Sequence, residues 1–416
     1  MKNRFACFSA AACAVVFLFT TAHAGAKTLL VGKTGSDCPE AQYNTIAGAV
    51  AAAGAGDVVA ICPALYAEQL VITKPLTLRG VSTNAFERVL LKPVLSDLLS
   101  LPTEAVITVM NTHGVTIDNL AIDASNNAVS SCSPGVAGVH FYNASGTVKN
   151  SAIFGATLPN PLSCTSLPFG NGFGIRVDSS VAGSYYVSVL NNSIHGYTAN
   201  GVQVYGTGIT ADIAGNTISG TGPATGIFQF AVFLFNGAVG NIHDNVITEG
   251  LCGSVSAPDC INTRSEGITL RSIGDGTLVE RNVIQNAQSG IFINGANQLR
   301  VLNNVISNID AMSGLDMQAT ASGYFTNNVI AGNIITNVGP IDQNASTDEE
   351  GCGINEYPGN GIFSGNEISH NTVNDAYCGV AHVTADWVND GVYFNTLYKE
   401  LDAELYPVAF PPATEP

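Results

Sequence analysis

Aromatic, acidic and basic side chains recur at fixed offsets from a repeated glycine, and together they have the chemistry to recognise a sugar chain. Each repeat is a five-residue segment, such as Gly201-Val-Gln-Val-Tyr205, in which apolar and variable residues alternate. This alternation is the period of a β-strand with one buried face, so the second and fourth residues after the glycine should point outward. Aromatic rings at these positions can stack on the C–H faces of sugars, while Arg, Asp, Asn and Gln bond the hydroxyl groups.

The segment occurs along most of the chain, usually with glycine and once with alanine in the leading position. Its leading residues are Gly138, Gly174, Gly201, Ala231, Gly267, Gly290, Gly314, Gly353 and Gly379. The outward positions predict a substrate-binding stripe formed by Tyr142, Tyr205, Phe233, Phe235, Phe292, Asn294, Gln318 and Tyr357. An alternative stays open, in which inserted loops cover the aromatic residues and bury them as a second apolar core.

Two arginines at outward positions, Arg271 and Arg176, are the candidate catalytic residues of a polysaccharide lyase. Such an enzyme needs a base to take the proton beside a uronate carboxylate and a cation to stabilise the resulting charge. Asp178 and Asp316 are outward carboxylates that could hold Ca²⁺ as a cofactor. The alternative is that each arginine pairs with a neighbouring carboxylate or lies over an aromatic ring.

A glycoside hydrolase fits the outward residues less well, because it needs two carboxylates about 5–9.5 Å apart. Asp178 and Asp316 are five repeats apart, on the order of 24 Å at the spacing of adjacent strands. Loop carboxylates such as Glu249, Asp259 or Glu266 would have to complete a pair.

Repeats of roughly 20–40 residues that carry one such strand each indicate a stacked solenoid. A second ladder supports this interpretation, because asparagine followed two residues later by an aliphatic residue recurs between the glycine-led strands. Asparagine tolerates left-handed backbone and can bond neighbouring coils at a turn. The ladder consists of Asn192, Asn216, Asn245, Asn282, Asn304 and Asn395. Insertions that should project along one side of the sheet occupy residues 156–171, 220–228, 250–264 and 339–351.

Residues 1–24 are typical of a secretory signal peptide. Lys2 and Arg4 precede an apolar run, and Ala22-His-Ala24 is a small-x-small cleavage signal. The run is too short to span a bilayer, so the sequence predicts a secreted or periplasmic protein without membrane insertion. The net charge of −17 argues against binding to nucleic acid or anionic membranes. The expected partner is a polysaccharide, and the chain is expected to be a monomer.

Cleavage after residue 24 would leave eight of the ten cysteines in an oxidising compartment. Cys352 and Cys378 each lie one residue before the leading glycine of successive repeats, and stacked strands would bring them within disulfide distance. The remaining pairs are then Cys252–Cys260, which would close one short loop, and Cys38–Cys62 and Cys132–Cys164, by elimination and proximity.

The start of the chain after the signal peptide contains an Ala-rich helical stretch, residues 43–53, followed by Gly56-Asp-Val-Val59, Cys62-Pro63 and Ile72-Thr-Lys-Pro-Leu-Thr-Leu-Arg-Gly80. This order of motifs, together with the asparagine repeats, resembles the pectin-lyase-like superfamily over nearly all of the mature chain. The resemblance implies an all-β fold, a single right-handed parallel β-helix (solenoid) with an N-terminal helical cap. The domain would span residues 25–400, with the cap at 25–60 and a C-terminal tail at 401–416.

The resemblance is specific for the fold and does not select one activity, because the superfamily includes lyases, hydrolases, esterases, epimerases and proteins without known catalysis. The sequence does not contain the motifs expected of polygalacturonases, pectin methylesterases or alginate epimerases. The leading prediction is an exported carbohydrate-active protein with lyase-type cleavage of an acidic polysaccharide. The alternative is a non-catalytic secreted or periplasmic β-helix that binds glycans or protein partners.

Overall fold

The computed structural model describes residues 25–34, 38–81, 88–95, 103–128, 135–158, 171–222, 228–250, 265–319, 323–339, 351–357, 361–382 and 391–398. The predicted signal peptide, the C-terminal tail and most of the four predicted insertions lie outside these residues, as do Cys132, Cys164, Cys252 and Cys260.

The described residues form short strands and a single short helix. The first elements are β1 (Thr28–Val31), α1 (Ile46–Ala52), β2 (Val58–Ile61), β3 (Ala64–Tyr66), β4 (Leu70–Ile72), β5 (Thr77–Gly80), β6 (Val89–Leu91), β7 (Thr103–Met110), β8 (Val115–Asp118), β9 (Ala121–Asp123), β10 (Gly135–Tyr142), β11 (Gly146–Lys149) and β12 (Ala152–Phe154). The next are β13 (Gly172–Asp178), β14 (Tyr185–Leu190), β15 (Ser193–His195), β16 (Asn200–Tyr205), β17 (Ile209–Ala214), β18 (Thr217–Ser219), β19 (Gln229–Phe235), β20 (Val239–His243), β21 (Val246–Thr248), β22 (Ser265–Arg271), β23 (Leu278–Glu280), β24 (Val283–Ala287), β25 (Ser289–Asn294) and β26 (Ala296–Asn297). The last are β27 (Arg300–Leu302), β28 (Val305–Ile309), β29 (Leu315–Gln318), β30 (Tyr324–Thr326), β31 (Val329–Ala331), β32 (Ile334–Val338), β33 (Cys352–Tyr357), β34 (Ile362–Ser364), β35 (Glu367–Ser369), β36 (Thr372–Ala376), β37 (Cys378–His382), β38 (Gly391–Tyr393) and β39 (Thr396–Tyr398).

These strands build three long parallel sheets. Sheet A has the order β1-β2-β5-β8-β11-β14-β17-β20-β23-β27-β31-β35-β38. Sheet B has the order β3-β6-β9-β12-β15-β18-β21-β24-β28-β32-β36-β39, and sheet C has the order β4-β7-β10-β13-β16-β19-β22-β25-β29-β33-β37. Each coil contributes one strand to C, then A, then B, which is the architecture of a parallel β-helix. A small sheet, β26-β30-β34, lies between C and A in the later coils.

The glycine-led segments lie in one register in sheet C, as the sequence predicts. The residue after each leading glycine pairs with its equivalent in the next coil, for example Ile175 with Val202 and Ile268 with Ile291. The same register continues from Ile291 through Leu315. The glycines at positions 174, 201, 267, 290 and 314 are therefore stacked in a line.

In the coils led by glycine, the leading residue lies in close contact with the next coil and with sheet B. A Cβ atom on Gly290 would lie 2.3 Å from the carbonyl oxygen of Gly314 and 2.6 Å from Cγ2 of Ile306. Ile306 is the aliphatic residue of an asparagine repeat, on the sheet B strand of the same coil. The same pair recurs in other coils, as with Gly174 and Ile194. The two repeats seen in the sequence thus interlock across the core.

The asparagine ladder bonds one coil to the next. The side-chain oxygen of Asn245 accepts from both the backbone N–H and the side-chain amide of Asn216. The Asn245 amide in turn donates to the carbonyl of Ile213 and to Asn282 Oδ1. The predicted left-handed backbone belongs instead to the residue before each ladder asparagine, such as Asn191 or Asp244. That preceding residue makes the corner, which leaves the asparagine side chain directed into the coil.

Two of the predicted disulfides are present among the described residues. Cys352 and Cys378 pair in register in sheet C and are bonded, and Cys38 is bonded to Cys62. The Cys352–Cys378 bond joins adjacent coils with Cα atoms 4.4 Å apart. A second bond ties the segment after β1 to the end of β2, so both disulfides connect stacked parts of the solenoid.

The helix α1 is shorter than the predicted stretch and begins at Ile46. Thr45 is its N-cap and accepts a hydrogen bond from the Gly48 N–H. The carboxylate of Glu68 accepts from the N–H groups of Ile46 and Ala47, which satisfies two donors of the first turn. The helix contacts β1, β2 and β4, the first strands of the solenoid. No helix among the described residues is long and apolar enough to cross a membrane.

Replacing Gly290 with alanine should destabilise the protein by about 2 kcal/mol or more, because the new methyl group meets a fixed backbone carbonyl. Urea unfolding followed by circular dichroism measures this change. Gly339→Ala is the matched control, since a Cβ atom there has no neighbour within 4 Å. Equal midpoints for the two variants would contradict the interlock.

Candidate functional site

The outer face of sheet C carries two rows of side chains, one from each outward position of the repeat. We name the second residues the covered row: Thr108, His140, Arg176, Gln203, Phe233, Thr269, Phe292, Asp316, Asn355 and Ala381. We name the fourth residues the edge row: Met110, Tyr142, Asp178, Tyr205, Phe235, Arg271, Asn294, Gln318 and Tyr357. The side chain of Tyr357 lies outside the described part of the chain.

The two rows differ in burial. Apart from the half-buried Arg176, the covered row is buried, with Phe233 0% and Phe292 1% exposed. The described edge-row side chains are half-buried, apart from Asp178, which is buried. Of the two alternatives that the sequence left open, burial of the aromatic residues applies to Phe233 and Phe292 in the covered row. These two residues do not belong to the central core cluster.

Aromatic rings of both rows pack together in the middle of the face. The rings of Phe233 and Phe235 stack with centroids 4.4 Å apart, and the rings of Tyr205 and Phe235 are 4.5 Å apart. Phe230, three residues before Phe233, adds a contact at 5.0 Å. The half-buried ring of Phe235 therefore lies in contact with both the buried Phe233 and the half-buried Tyr205.

An ion-pair network occupies the N-terminal half of the face. Asp178 Oδ1 lies 2.7 Å from His140 Nε2, and Asp178 Oδ2 accepts from Arg176 Nε at 2.9 Å and lies 2.7 Å from a terminal guanidinium nitrogen. Another Arg176 nitrogen donates to Thr103 Oγ1. The guanidinium also lies over the ring of Phe173. Arg176 thus takes the alternative arrangement, paired with a carboxylate and over an aromatic ring.

Burial sets the protonation of this network. It lowers the pKa of His140 and outweighs the nearby carboxylate, so the imidazole is neutral and donates from Nε2 to Asp178. Burial alone would raise the pKa of Asp178, but the hydrogen bond from His140 and the charge of Arg176 hold it below its ordinary value. The pair of Arg176 and Asp178 is therefore ionised and internally neutral.

This arrangement engages both oxygens of Asp178, one of the two candidate Ca²⁺ ligands. The other, Asp316, is fully buried and accepts from the side-chain amides of Gln318 and Asn355. Among the described residues, no group of three or more His, Cys, Asp or Glu side chains has the geometry to hold a metal ion. The donors around Asp178 already supply positive charge and hydrogen bonds, so the described residues fit a resident Ca²⁺ poorly.

Arg271 lies near the centre of the edge row. Its guanidinium carbon is 5.0 Å from the ring centroid of Phe292, the covered-row residue of the next coil. Phe235 and Asn294 flank it along the row, and Asp316 follows Phe292 one coil further on. The structure thus places Arg271 and Asp316 on either side of one buried ring, two coils apart.

A buried polar cluster at the corner between sheets B and C was not recognised as a unit from the sequence. Tyr197 donates a hydrogen bond to Glu249 Oε1, and both side chains are buried. Glu249 Oε2 has no hydrogen-bond partner among the described residues. Burial raises the pKa of Glu249 to about 8. Neither residue belongs to a repeat, so only their separate positions at coil corners are visible in the sequence.

Glu249→Gln should flatten the pH dependence of stability between pH 5 and 8. The unfolded chain ionises Glu249 near 4.5, whereas the folded chain keeps its proton until about pH 8. Stability from the neutral carboxyl is therefore fully present below pH 4.5 and is lost as pH rises towards 8. Urea unfolding at several pH values tests this. The exposed Glu40→Gln should keep the wild-type profile, and an unchanged profile for Glu249→Gln would show that the buried carboxyl does not titrate in this way.

Comparison with solved structures places this architecture among known β-helices. No family model and no curated protein matches the chain. A lacto-N-biosidase of Eubacterium ramulus is similar with a TM-score of 0.50 and 12% identity, over 89% of this chain and 68% of that one. The Family 28 exopolygalacturonase of Yersinia enterocolitica gives 0.48 and 12% over 89% and 78%. The exopolygalacturonase of Thermotoga maritima gives 0.46 and 10% over 83% of each chain.

At these identities the likeness concerns the fold. Long parallel sheets, the repeated register and the similarity to the lacto-N-biosidase agree with one another. The chain has a parallel β-helix fold.

Proposed function

We propose that the protein is an exported carbohydrate-active β-helix that binds a polysaccharide along the edge row. The observation that carries the proposal is the row itself, which runs in unbroken register from Met110 to Gln318 over eight successive coils. At about 4.8 Å per coil, the row is a linear surface suited to an extended polymer. The similarity to a lacto-N-biosidase is compatible with a carbohydrate ligand but carries less weight, because fold does not imply function.

The physical chemistry of the row favours sugars. Tyr205 and Phe235 are partly exposed, and the contacts of Phe235 with Phe233 and of Tyr205 with Phe235 hold the two rings in place before a ligand arrives. Ordering the site in advance lowers the entropy that binding must overcome. Asn294 and Gln318 add amide groups that can both donate to and accept from hydroxyl groups. Two disulfides support export, because such bonds persist in oxidising compartments.

Tyr205→Ala should weaken polysaccharide binding roughly tenfold, about 1.4 kcal/mol, while leaving the fold intact. Affinity electrophoresis or calorimetry against pectin, polygalacturonate, alginate and neutral polysaccharides measures the change. Phe233→Ala is the structural comparison and should lose about 3–5 kcal/mol of stability, because it removes a buried ring. If the folded wild-type protein binds none of these polymers, the proposal is wrong.

A second candidate function is lyase-type cleavage of an acidic polysaccharide, and the position of Arg271 favours it. Its guanidinium is held over Phe292 in the middle of the row, where a uronate carboxylate could lie beside it. A base would remove the proton next to that carboxylate, a C=C bond would form, and the C–O bond to the neighbouring sugar would break. The arginine would stabilise the charge that develops on the carboxylate, and the departing oxygen would take up a proton.

Arg271→Ala should reduce such cleavage by about 100-fold or more, because it removes charge stabilisation in the transition state. Arg271→Lys should keep part of the activity. Absorbance of unsaturated products, recorded with and without added Ca²⁺, measures the rate. If the wild-type protein binds uronate polymers but releases no unsaturated product from any of them, the lyase function is wrong. The non-catalytic binding function would then remain.

A further inference from the structure

An exposed aromatic patch lies around the corner from the edge row, between sheets C and A. We name it the corner patch, formed by His113, Val181, Tyr185 and Tyr186. The rings of His113 and Tyr185 stack with centroids 6.0 Å apart and an interplanar angle of 14°. Tyr186 is 52% exposed, although it is an aromatic residue on a β-strand. Val181 and His113 are also exposed.

The corner patch is held rigidly by hydrogen bonds. Asn143 Oδ1 accepts from Ser179 Oγ and from the N–H groups of Ser180 and Val181, which fixes the loop after β13. Ser145 Oγ accepts from the Tyr186 N–H and lies 3.0 Å from His113 Nδ1. These hydrogen bonds fix the loop at Val181 and the backbone at Tyr186, so a ligand that binds there would order little new structure.

The corner patch is continuous with the edge row. Tyr142, an edge-row residue, donates its hydroxyl proton to Ser180 Oγ at 2.7 Å. Ser180 belongs to the same loop as Val181, and the Tyr185 hydroxyl lies 3.4 Å from the Val181 carbonyl oxygen, a long contact. A ligand on the row at Tyr142 would therefore meet this loop.

Charge distinguishes this region from the centre of the row. The ionised groups that border Tyr142 on sheet C are Arg176 and Asp178, which neutralise each other. The corner patch itself offers phenol, imidazole and aliphatic surface. The chain as a whole carries a net charge of −17, which disfavours an acidic sugar wherever no cation compensates it.

We propose that the corner patch is a second sugar-binding platform, continuous with the edge row through Tyr142, that takes the ring face of a neutral sugar residue. The proposal rests on the proposed function, because it extends the path of the same polysaccharide. Tyr186, which is 52% exposed, provides the open stacking surface and a hydroxyl accessible to a sugar hydroxyl. Tyr185, the residue before it, packs against the core.

The test compares Tyr186→Ala with Tyr324→Ala by calorimetry on galactomannan, a neutral β-glucan, polygalacturonate and alginate. Both tyrosines are 52% exposed, and Tyr324 lies between sheets C and A five coils away, about 24 Å. Tyr186→Ala should weaken binding of the two neutral polymers about fivefold, and this loss should persist in about 0.5 M salt. The thermal midpoint of unfolding should not change. Tyr324→Ala should bind like the wild type.

The row variant Tyr205→Ala separates the two proposals. Wild-type affinity for Tyr186→Ala with weakened binding for Tyr205→Ala would overturn the corner patch and leave the edge row in place. The reverse result would overturn the edge row and, with it, the corner patch as an extension of that row. Equal losses for Tyr186→Ala and Tyr324→Ala would overturn the assignment to this corner, and a wild type that binds no polymer would overturn both proposals.

Discussion

The contact between the leading glycine of sheet C and the isoleucine of the asparagine repeat sets the position of every other feature. In the coil of Gly267 that isoleucine is Ile284, whose Cγ2 would lie 2.6 Å from a Cβ atom on the glycine. In this coil only a residue without a side chain avoids that overlap, whereas the coil led by Ala231 accommodates a methyl group in the same register. Because side chains alternate along a strand, a slip by one residue would turn the edge row into the core. The register of the solenoid and the chemistry of its face therefore have one cause.

A second layer outside that core explains how the face presents aromatic rings without exposing them fully. The rings of Phe230 and Phe233 pack on the outer side of sheet C, and Phe235 stacks on Phe233. Close packing of this kind holds side chains in single rotamers. The ring of Tyr205, in contact with Phe235, is therefore presented in a fixed orientation. Burial of Phe233 in the covered row and the orientation of the edge-row rings therefore follow from the same packing.

Much of the fold follows from local patterns, because repeats report register directly. The strand alternation, the asparagine ladder and the equivalent positions of Cys352 and Cys378 each predict a contact between successive coils, and those contacts are present. Burial of outward residues could not be predicted in the same way. It depends on contacts between side chains of different coils, such as Asp178 with His140. Glu249 and Tyr197 meet from coil corners that carry no repeated signal.

The distribution of charge along sheet C suggests how the face discriminates among sugars. Its N-terminal half keeps Arg176 and Asp178 as an internal pair beside a neutral His140, so it offers little net charge to a ligand. Under the proposed function, recognition there would depend on ring faces and hydroxyl bonds, which salt screens weakly. In the central part, Arg271 is held over Phe292. The two arginines of the face are thus placed by different contacts, because Arg176 is paired with Asp178 whereas Arg271 lies over a buried ring.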